Sequence, residues 1–587
     1  MLGAYLRRTL RAFFWWIGFY PGQTLLTTLD DFLNDIKHAP AKSLASLRFI
    51  LDLNCSTEFG RKYDFASIKD SAEYRKRVPL SMYDDYKQYI DRILSEDSHT
   101  VLSALPVSFI AVTGGTTGEE LKRLPKSSAM QINPLWAETI YKRDAESINP
   151  QREAYARGGN ALGFMILPHR KIRGKWLEGA AAGAYFRMFA EKVPSLWKKY
   201  ASPKEVLLGG PKLKWDAAIY VHLLFGLHTS KIRIIQAMFV NQMCDAFNML
   251  LERGTELAND VETGSICSAV DVPPELRILL VGKYLRPNPG RAEEIRKELI
   301  AGPEGIIGRL WPGVTHAAAN ASGSFKAYVP RVKRLLGPEI HFHSPFYVAS
   351  EAQMGISLTV GADEYCLVPT GTYYEFIPFD DHIIETGADT PTVEMDQLEA
   401  GKEYEIVVTT VDGLYRYRML DIIRIVRLEN GCPFFQLLGR RTGFLLAPGV
   451  WLTDALLNSA MLDATFGNAI VFTSTPDTNS SETRLLVFIE RDKDEDQMKV
   501  LPSSFDRSLC RLSVPFLRVR ESKAVAEPKV IYVKFGTFAS IHRMRSSLKT
   551  KASGFSELTM DMQIKVPAFV MDTESISLLQ SAAIEPF

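Results

Sequence analysis

At 587 residues the chain is longer than a single hydrophobic core usually supports, so two or more domains are expected. Hydrophobic residues make up 46% and charged residues 23%, and 69 basic against 68 acidic side chains leave a net charge of +1. This balance excludes a global electrostatic pull toward nucleic acid or an anionic surface; any basic site has to be local.

In chain order, Arg7, Arg8 and Arg11 flank the apolar run 12–20, which Pro21-Gly22 ends. A bilayer span needs about 20 apolar residues, so the run is too short, and no small-residue cleavage site follows it. It reads as a first helix docking its aromatic face on the domain. Peripheral membrane contact through residues 7–20 is the alternative, because basic residues beside tryptophans suit an interfacial helix. Residues 30–100 read as helices, with apolar positions at helical spacing in Leu44, Leu47, Ile50, Leu51 and in Tyr86, Tyr89, Ile90, Ile93, Leu94. A β-prone run, 107–112, stops at a glycine- and threonine-rich turn. The pattern is then helix (217–227), strand (231–235) and helix (238–251). Residues 342–349 read as a strand or turn, and 356–360, 404–410 and 420–426 as strands. Past Gly439-Arg440-Arg441 come a helix at 452–462, strands at 469–473 and 485–489, and a helix at 505–512. Alternating strands and helices predict an α/β protein with a boundary near 438: a large domain over 1–438 and a smaller one over 439–587. The cysteines (Cys55, Cys244, Cys267, Cys366, Cys432, Cys510) form no CxxC pair and no cluster at metal-ligand spacing, which argues against a structural zinc site. They read as reduced thiols in a reducing compartment, the cytoplasm.

Three constellations carry chemistry. Thr113-Gly114-Gly115-Thr116-Thr117-Gly118-Glu119-Glu120-Leu121-Lys122 follows a strand. Glycine permits positive φ, so successive amides can cradle a phosphate, and Lys122 adds a compact positive charge. No Gly-Lys-Ser/Thr closes it, so it is not a Walker loop. A Gly/Thr-rich turn is also simply a turn, and composition does not separate the two. The second is Tyr347-Val348-Ala349-Ser350-Glu351, where Glu351 is chemically suited to Mg2+, which takes one or two carboxylates plus phosphate oxygens. A strand-end turn with a solvated Glu explains it equally well. His341 and His343, two apart, share one strand face and read as packing or outer-sphere residues rather than ligands, because a third ligand is missing. The third, Gly413-Leu414-Tyr415-Arg416-Tyr417-Arg418-Met419-Leu420-Asp421, ends in a carboxylate able to accept from two ribose hydroxyls. A cross-strand ion pair is the competing reading.

The order of these three segments resembles the acyl-adenylate-forming superfamily, and more narrowly the auxin-responsive acyl acid–amido synthetases (the Gretchen Hagen family). Thr57-Glu58-Phe59-Gly60-Arg61, Arg77-Val78-Pro79-Leu80, His222-Leu223-Leu224-Phe225-Gly226-Leu227, Leu310-Trp311-Pro312 and Tyr328-Val329-Pro330 extend the likeness over about residues 55–445. The resemblance implies a large N-terminal α/β adenylate-forming domain with sheet and barrel-like subdomains, and a smaller mobile C-terminal α/β domain. It implies an ATP-dependent ligase that adenylates a small carboxylic acid and passes the acyl group to an amine, most simply an amino acid, with no nucleic-acid partner. Thr113, Gly115, Thr116, Thr117, Tyr347, Ala349, Ser350, Glu351, Tyr415, Arg418 and Asp421 would contact the nucleotide. Glu351 would also hold Mg2+, and Lys122 would be catalytic. Gln563-Ile564-Lys565-Val566-Pro567 is similar to the family's Lys-x-Pro segment, which gives Lys565 a role on a closing domain.

The chain also departs from the pattern. Leu420 replaces the glycine before Asp421, Gly449-Val450-Trp451 stands where Gly-Glu-Lys is usual, and Ala568 stands where an arginine is common. These changes leave room for two other readings: an acyl-thioester ligase, or a non-catalytic nucleotide-binding scaffold. A modifier that adenylates a small protein's C-terminus is a more remote one.

Overall fold

The computed structural model describes residues 27–96, 100–113, 122–129, 132–148, 158–167, 170–209, 213–379, 387–467, 470–477, 482–491, 499–541, 543–545 and 568–584. The run 7–20 and the candidates Gly115, Thr116, Thr117 and Lys565 lie outside them. No helix among the described residues is long and apolar enough to cross a membrane.

The expected N-terminal helices form, and their starts are set by side chains that accept orphan backbone amides. Thr28 and Asp31 make a reciprocal capping box on Leu29–Asp35, Thr57 caps Glu58–Lys62, and Asp70 caps Ser71–Arg77. These helices pack with a seven-stranded sheet in one core that runs from Leu29 to Phe435. The sheet order is Thr372–Pro378, Glu403–Thr410, Tyr417–Glu429, Cys432–Arg440, Tyr365–Leu367, Gln353–Ile356 and Phe346–Val348, antiparallel throughout.

A second core, Leu162 to Phe342, surrounds a parallel sheet of Asn160–Phe164, Ile232–Phe239, His316–Asn320 and His341–His343. The helix Trp215–Leu227 is buried along nearly its whole length, which explains why its sequence is apolar all round. The run 356–360 is not the strand expected. The strand ends at Ile356, and the Ser357 amide turns back to the Pro345 carbonyl at 2.9 Å.

A short four-stranded sheet carries Phe109–Thr113 between Lys122–Lys126 and Trp176–Gly179. Beyond Arg440 the chain makes a hairpin, Gly443–Ala447 with Val450–Thr453, then the Thr453-capped helix Asp454–Ala464. Trp451 lies on that hairpin opposite Leu445. A mixed four-stranded sheet follows, and apolar clusters from Phe444 onward are separate from the other two cores. Residue 438 falls inside the strand Cys432–Arg440, just ahead of this change of core. All six cysteines are free thiols.

Candidate active site

Lys122 opens the strand Lys122–Lys126, directly across the ladder from half-buried Thr113. Its ammonium donates to the Tyr417 hydroxyl at 3.3 Å and lies 5.6 and 6.0 Å from the ring centres of Tyr83 and Tyr417. Burial pushes this lysine below its ordinary value. The charge of Glu351 opposes that, Arg440 adds to it, and Asp421 opposes it again. Lys122 is therefore within electrostatic reach of both carboxylates that the sequence singled out, though Asp421 lies some 300 residues along the chain.

Asp421 is buried on the strand Tyr417–Glu429. One of its oxygens accepts from Arg440 Nε at 2.9 Å, and the other accepts from the Tyr347 hydroxyl. Burial raises the Tyr347 phenol, and the neighbouring carboxylate raises it further; Arg440 is raised chiefly by the charge of Asp421. A local distortion aims Asp421. Glu405 pairs with Ile422 and Val407 with Arg418, so Met419 to Asp421 stand opposite Ile406 alone, and Leu420 takes a left-handed φ of 59°. The turn that a glycine would make freely is thus made here by leucine.

Tyr347, Ala349, Ser350 and Glu351 occupy the end of Phe346–Val348 and the turn after it, where the Ala349 amide donates to the Ala352 carbonyl at 2.9 Å. Ala349 and Ser350 are half-buried, whereas Glu351 is buried. The Glu351 backbone is held from below by Lys126. That buried ammonium donates to the Glu351 carbonyl at 3.0 Å and pairs with Asp412 at 2.6 Å.

Two expected contacts are not part of this group. Tyr415 is fully buried, stacked on Phe59 with centroids 4.6 Å apart, and its hydroxyl donates to the Leu102 carbonyl at 2.6 Å. Arg418 makes a two-pronged bond to buried Glu405, both prongs 2.7 Å, and its charge is consumed inside the sheet. The structure adds two residues outside the three constellations, Lys126 and Arg440, and brings in Tyr417, which the third contained without a role. Arg440 was visible only as part of a Gly-Arg-Arg punctuation. It spans the two parts of the chain, since its backbone amide donates to Asp454 at 3.1 Å, and the other Asp454 oxygen accepts from the Ala568 amide at 3.3 Å.

Taken together, these elements form a large N-terminal α/β body whose polar group faces a smaller C-terminal α/β unit. A solved structure described as AtGH3.15 acyl acid amido synthetase in complex with 2,4-DB has this fold: TM-score 0.76 at 21% identity, covering 95% of this chain and 96% of that one. The chain belongs to the GH3 family. The family's N-terminal domain matches residues 28–340, its central domain 365–440 and its C-terminal domain 453–574. Among curated relatives, a jasmonoyl–L-amino acid synthetase, GH3.5 of Oryza sativa subsp. japonica, is 26% identical over 572 residues, covering 93% of this chain and 95% of its own. An indole-3-acetic acid-amido synthetase, GH3.4 of Arabidopsis thaliana, is 26% identical over 566 residues, covering 91% and 90%. These relatives are amide-forming, acid–amino acid ligases.

Proposed function

We propose that this chain is an ATP-dependent acyl acid–amido synthetase. The observation that carries the reading is the gathering of Lys122, Tyr347, Glu351, Asp421 and Arg440 from distant segments into one charged group. In the first step a substrate carboxylate attacks the α-phosphorus of ATP, the bond from that phosphorus to the α,β-bridging oxygen breaks, and pyrophosphate leaves with the electron pair. In the second step the amine nitrogen of an amino acid attacks the acyl carbon of the mixed anhydride. The amide bond forms, AMP departs and the ammonium proton is lost to solvent.

Reactions at phosphorus ask for position and charge more than for covalent help. Lys122, with Thr113, Gly115, Thr116 and Thr117 beside it in sequence, would hold the phosphates. Partial burial makes its cation count for more than in water. Asp421 would accept from the ribose hydroxyls, displacing its bond to Tyr347, while Arg440 keeps its hold on the other oxygen. Tyr347, Ala349 and Ser350 would border the nucleotide. One buried carboxylate flanked by cationic side chains suits Mg2+ only when phosphate oxygens complete the sphere, so Glu351 would hold the ion as a nucleotide complex, where it neutralises phosphate charge. Residues 439–587 would act as a lid over residues 1–438, carrying Lys565 to the α-phosphate. Free cysteines throughout support a reducing, cytoplasmic setting.

The test is product analysis. The protein, ATP and a panel of plant-hormone-like and aromatic acids are incubated with either mixed amino acids or a cysteamine thiol, and products are read by mass spectrometry. Amides together with AMP are expected. Thioesters alone would replace this reading with the thioester ligase, and release of neither AMP nor pyrophosphate across the panel would reduce the chain to a scaffold.

A further inference from the structure

The sequence offered His341 and His343 without a third ligand; the fold supplies partners for His341. The strands His316–Asn320 and His341–His343 are adjacent and parallel, with His316 directly beside His341. The helix Pro134–Ile148 lays Tyr141 and Asp144 over that face: Tyr141 is centred 4.8 Å from the His316 ring and 5.6 Å from His343, and Asp144 reaches both His316 and His341. One carboxylate oxygen of Asp144 lies 2.9 Å from His316 Nε2 and 2.8 Å from His341 Nδ1, and the three ligand atoms all fall within 4.8 Å of one another.

His316 Nδ1 lies 3.0 Å from the Thr315 hydroxyl, which helps to hold the ring in place. One further observation indicates that hydrogen bonds alone leave this face incomplete. On the same face, Tyr141 Oη and His343 Nε2 are buried with no hydrogen-bond partner among the described residues. Orphaned buried polar atoms of this kind point to a water or ion.

We propose that Asp144, His316 and His341 form a site for one divalent transition-metal ion of the Zn2+ class. Two imidazole nitrogens and one carboxylate oxygen are a borderline donor set suited to zinc, with water in the fourth position. Zinc–ligand bonds of about 2.0–2.2 Å require donors some 3.3 Å apart, which small side-chain rotations about the present positions provide. The Thr315 hydroxyl, 3.0 Å from His316 Nδ1, would orient the ligating ring, as outer-sphere partners do in zinc sites. The ion pins the helix that follows the phosphate-loop strand to the last two strands of the parallel sheet, a few residues ahead of Tyr347. The site does not depend on the proposed adenylation chemistry.

The untagged full chain is stripped with a chelator, dialysed, and titrated with Zn2+ by calorimetry and with Co2+ by visible absorption. One ion per chain is expected, together with the d–d bands of a low-symmetry Co2+ site and a higher melting temperature with Zn2+ than without. His341→Gln, on the half-exposed sheet edge, and Asp144→Asn are each expected to weaken binding by at least about 100-fold, beyond the effect typical of outer-sphere groups. Each variant is expected to melt, without metal, close to the metal-free parent. Absence of stoichiometric binding to the parent, or binding by both variants as tight as the parent's, would overturn the site and leave a hydrogen-bonded cluster only.

Discussion

Two arginines on neighbouring strands of the same sheet behave in opposite ways. Arg418 is closed off: both of its prongs meet Glu405, which is fully buried and is also approached by Arg441 at 3.5 Å. Arg440 meets Asp421 through Nε, on a carboxylate that also takes the Tyr347 hydroxyl and feels Lys122 and Glu351 nearby. The first carboxylate is enclosed by arginines inside the sheet. The second is a cluster of mixed charge beside Asp454 of the C-terminal unit, which we propose exchanges its internal bonds for those of a nucleotide. Both involve an Arg and an acidic residue in a strand, and only the surroundings separate structure from function.

The contrast is broken most severely at Arg418. Arg418→Met takes both short bonds from buried Glu405, leaving it only the 3.5 Å approach of Arg441, and is expected to cost about 3 kcal/mol, read as a drop in denaturant midpoint, whereas Arg440→Met leaves Asp421 its bond to the Tyr347 hydroxyl and is expected to cost less. If the two variants lose equal stability, the distinction between them fails. Next in size is activity. Lys122→Ala is expected to lower adenylation by about 100- to 1000-fold, the usual cost of one positioned charge donor, with melting within a few degrees of the parent.

A third effect is read through pH, at a group whose packing is complete without any ligand. His222 is fully buried between Ser202 and the Met165 carbonyl, and burial pushes it down to about 4. The unfolded chain binds a proton near 6.5 that the folded chain refuses until about 4. Stability should therefore fall as pH drops through that window, by up to about 3 kcal/mol, and be flat in this group above it. His222→Gln should flatten the slope in urea melts recorded between pH 7 and 4.5. The smallest effect belongs to Leu420. Leu420→Gly removes a left-handed leucine and is expected to gain roughly 1 kcal/mol while leaving Asp421 aimed as before. A loss of stability there would mean that the leucine side chain packs better than its backbone is strained.

How far these features were legible in the sequence follows from their range. Lys122, Tyr347, Glu351 and Asp421 were marked because their motifs occur in a telling order. The helices were legible from caps and periodicity, as at Thr28 and Thr57. Tyr415 and Arg418 were grouped with Asp421 because they are its chain neighbours. Alternation along the strand sends Arg418 away from the face of Tyr417, and Tyr415 precedes the strand and sinks into the aromatic core. Lys126 and Arg440 take their meaning from Asp412, Glu351 and Asp421, and the Asp144–His316–His341 group joins three segments. Partners so far apart in the chain leave no local pattern.

The most direct measurement is acid-dependent exchange of labelled pyrophosphate into ATP by the parent, Lys122→Ala and Asp421→Ala, with folding checked by melting. If both residues grip one ATP, both folded variants should lose exchange by about 100-fold or more. Two folded variants that exchange as fast as the parent would contradict the account.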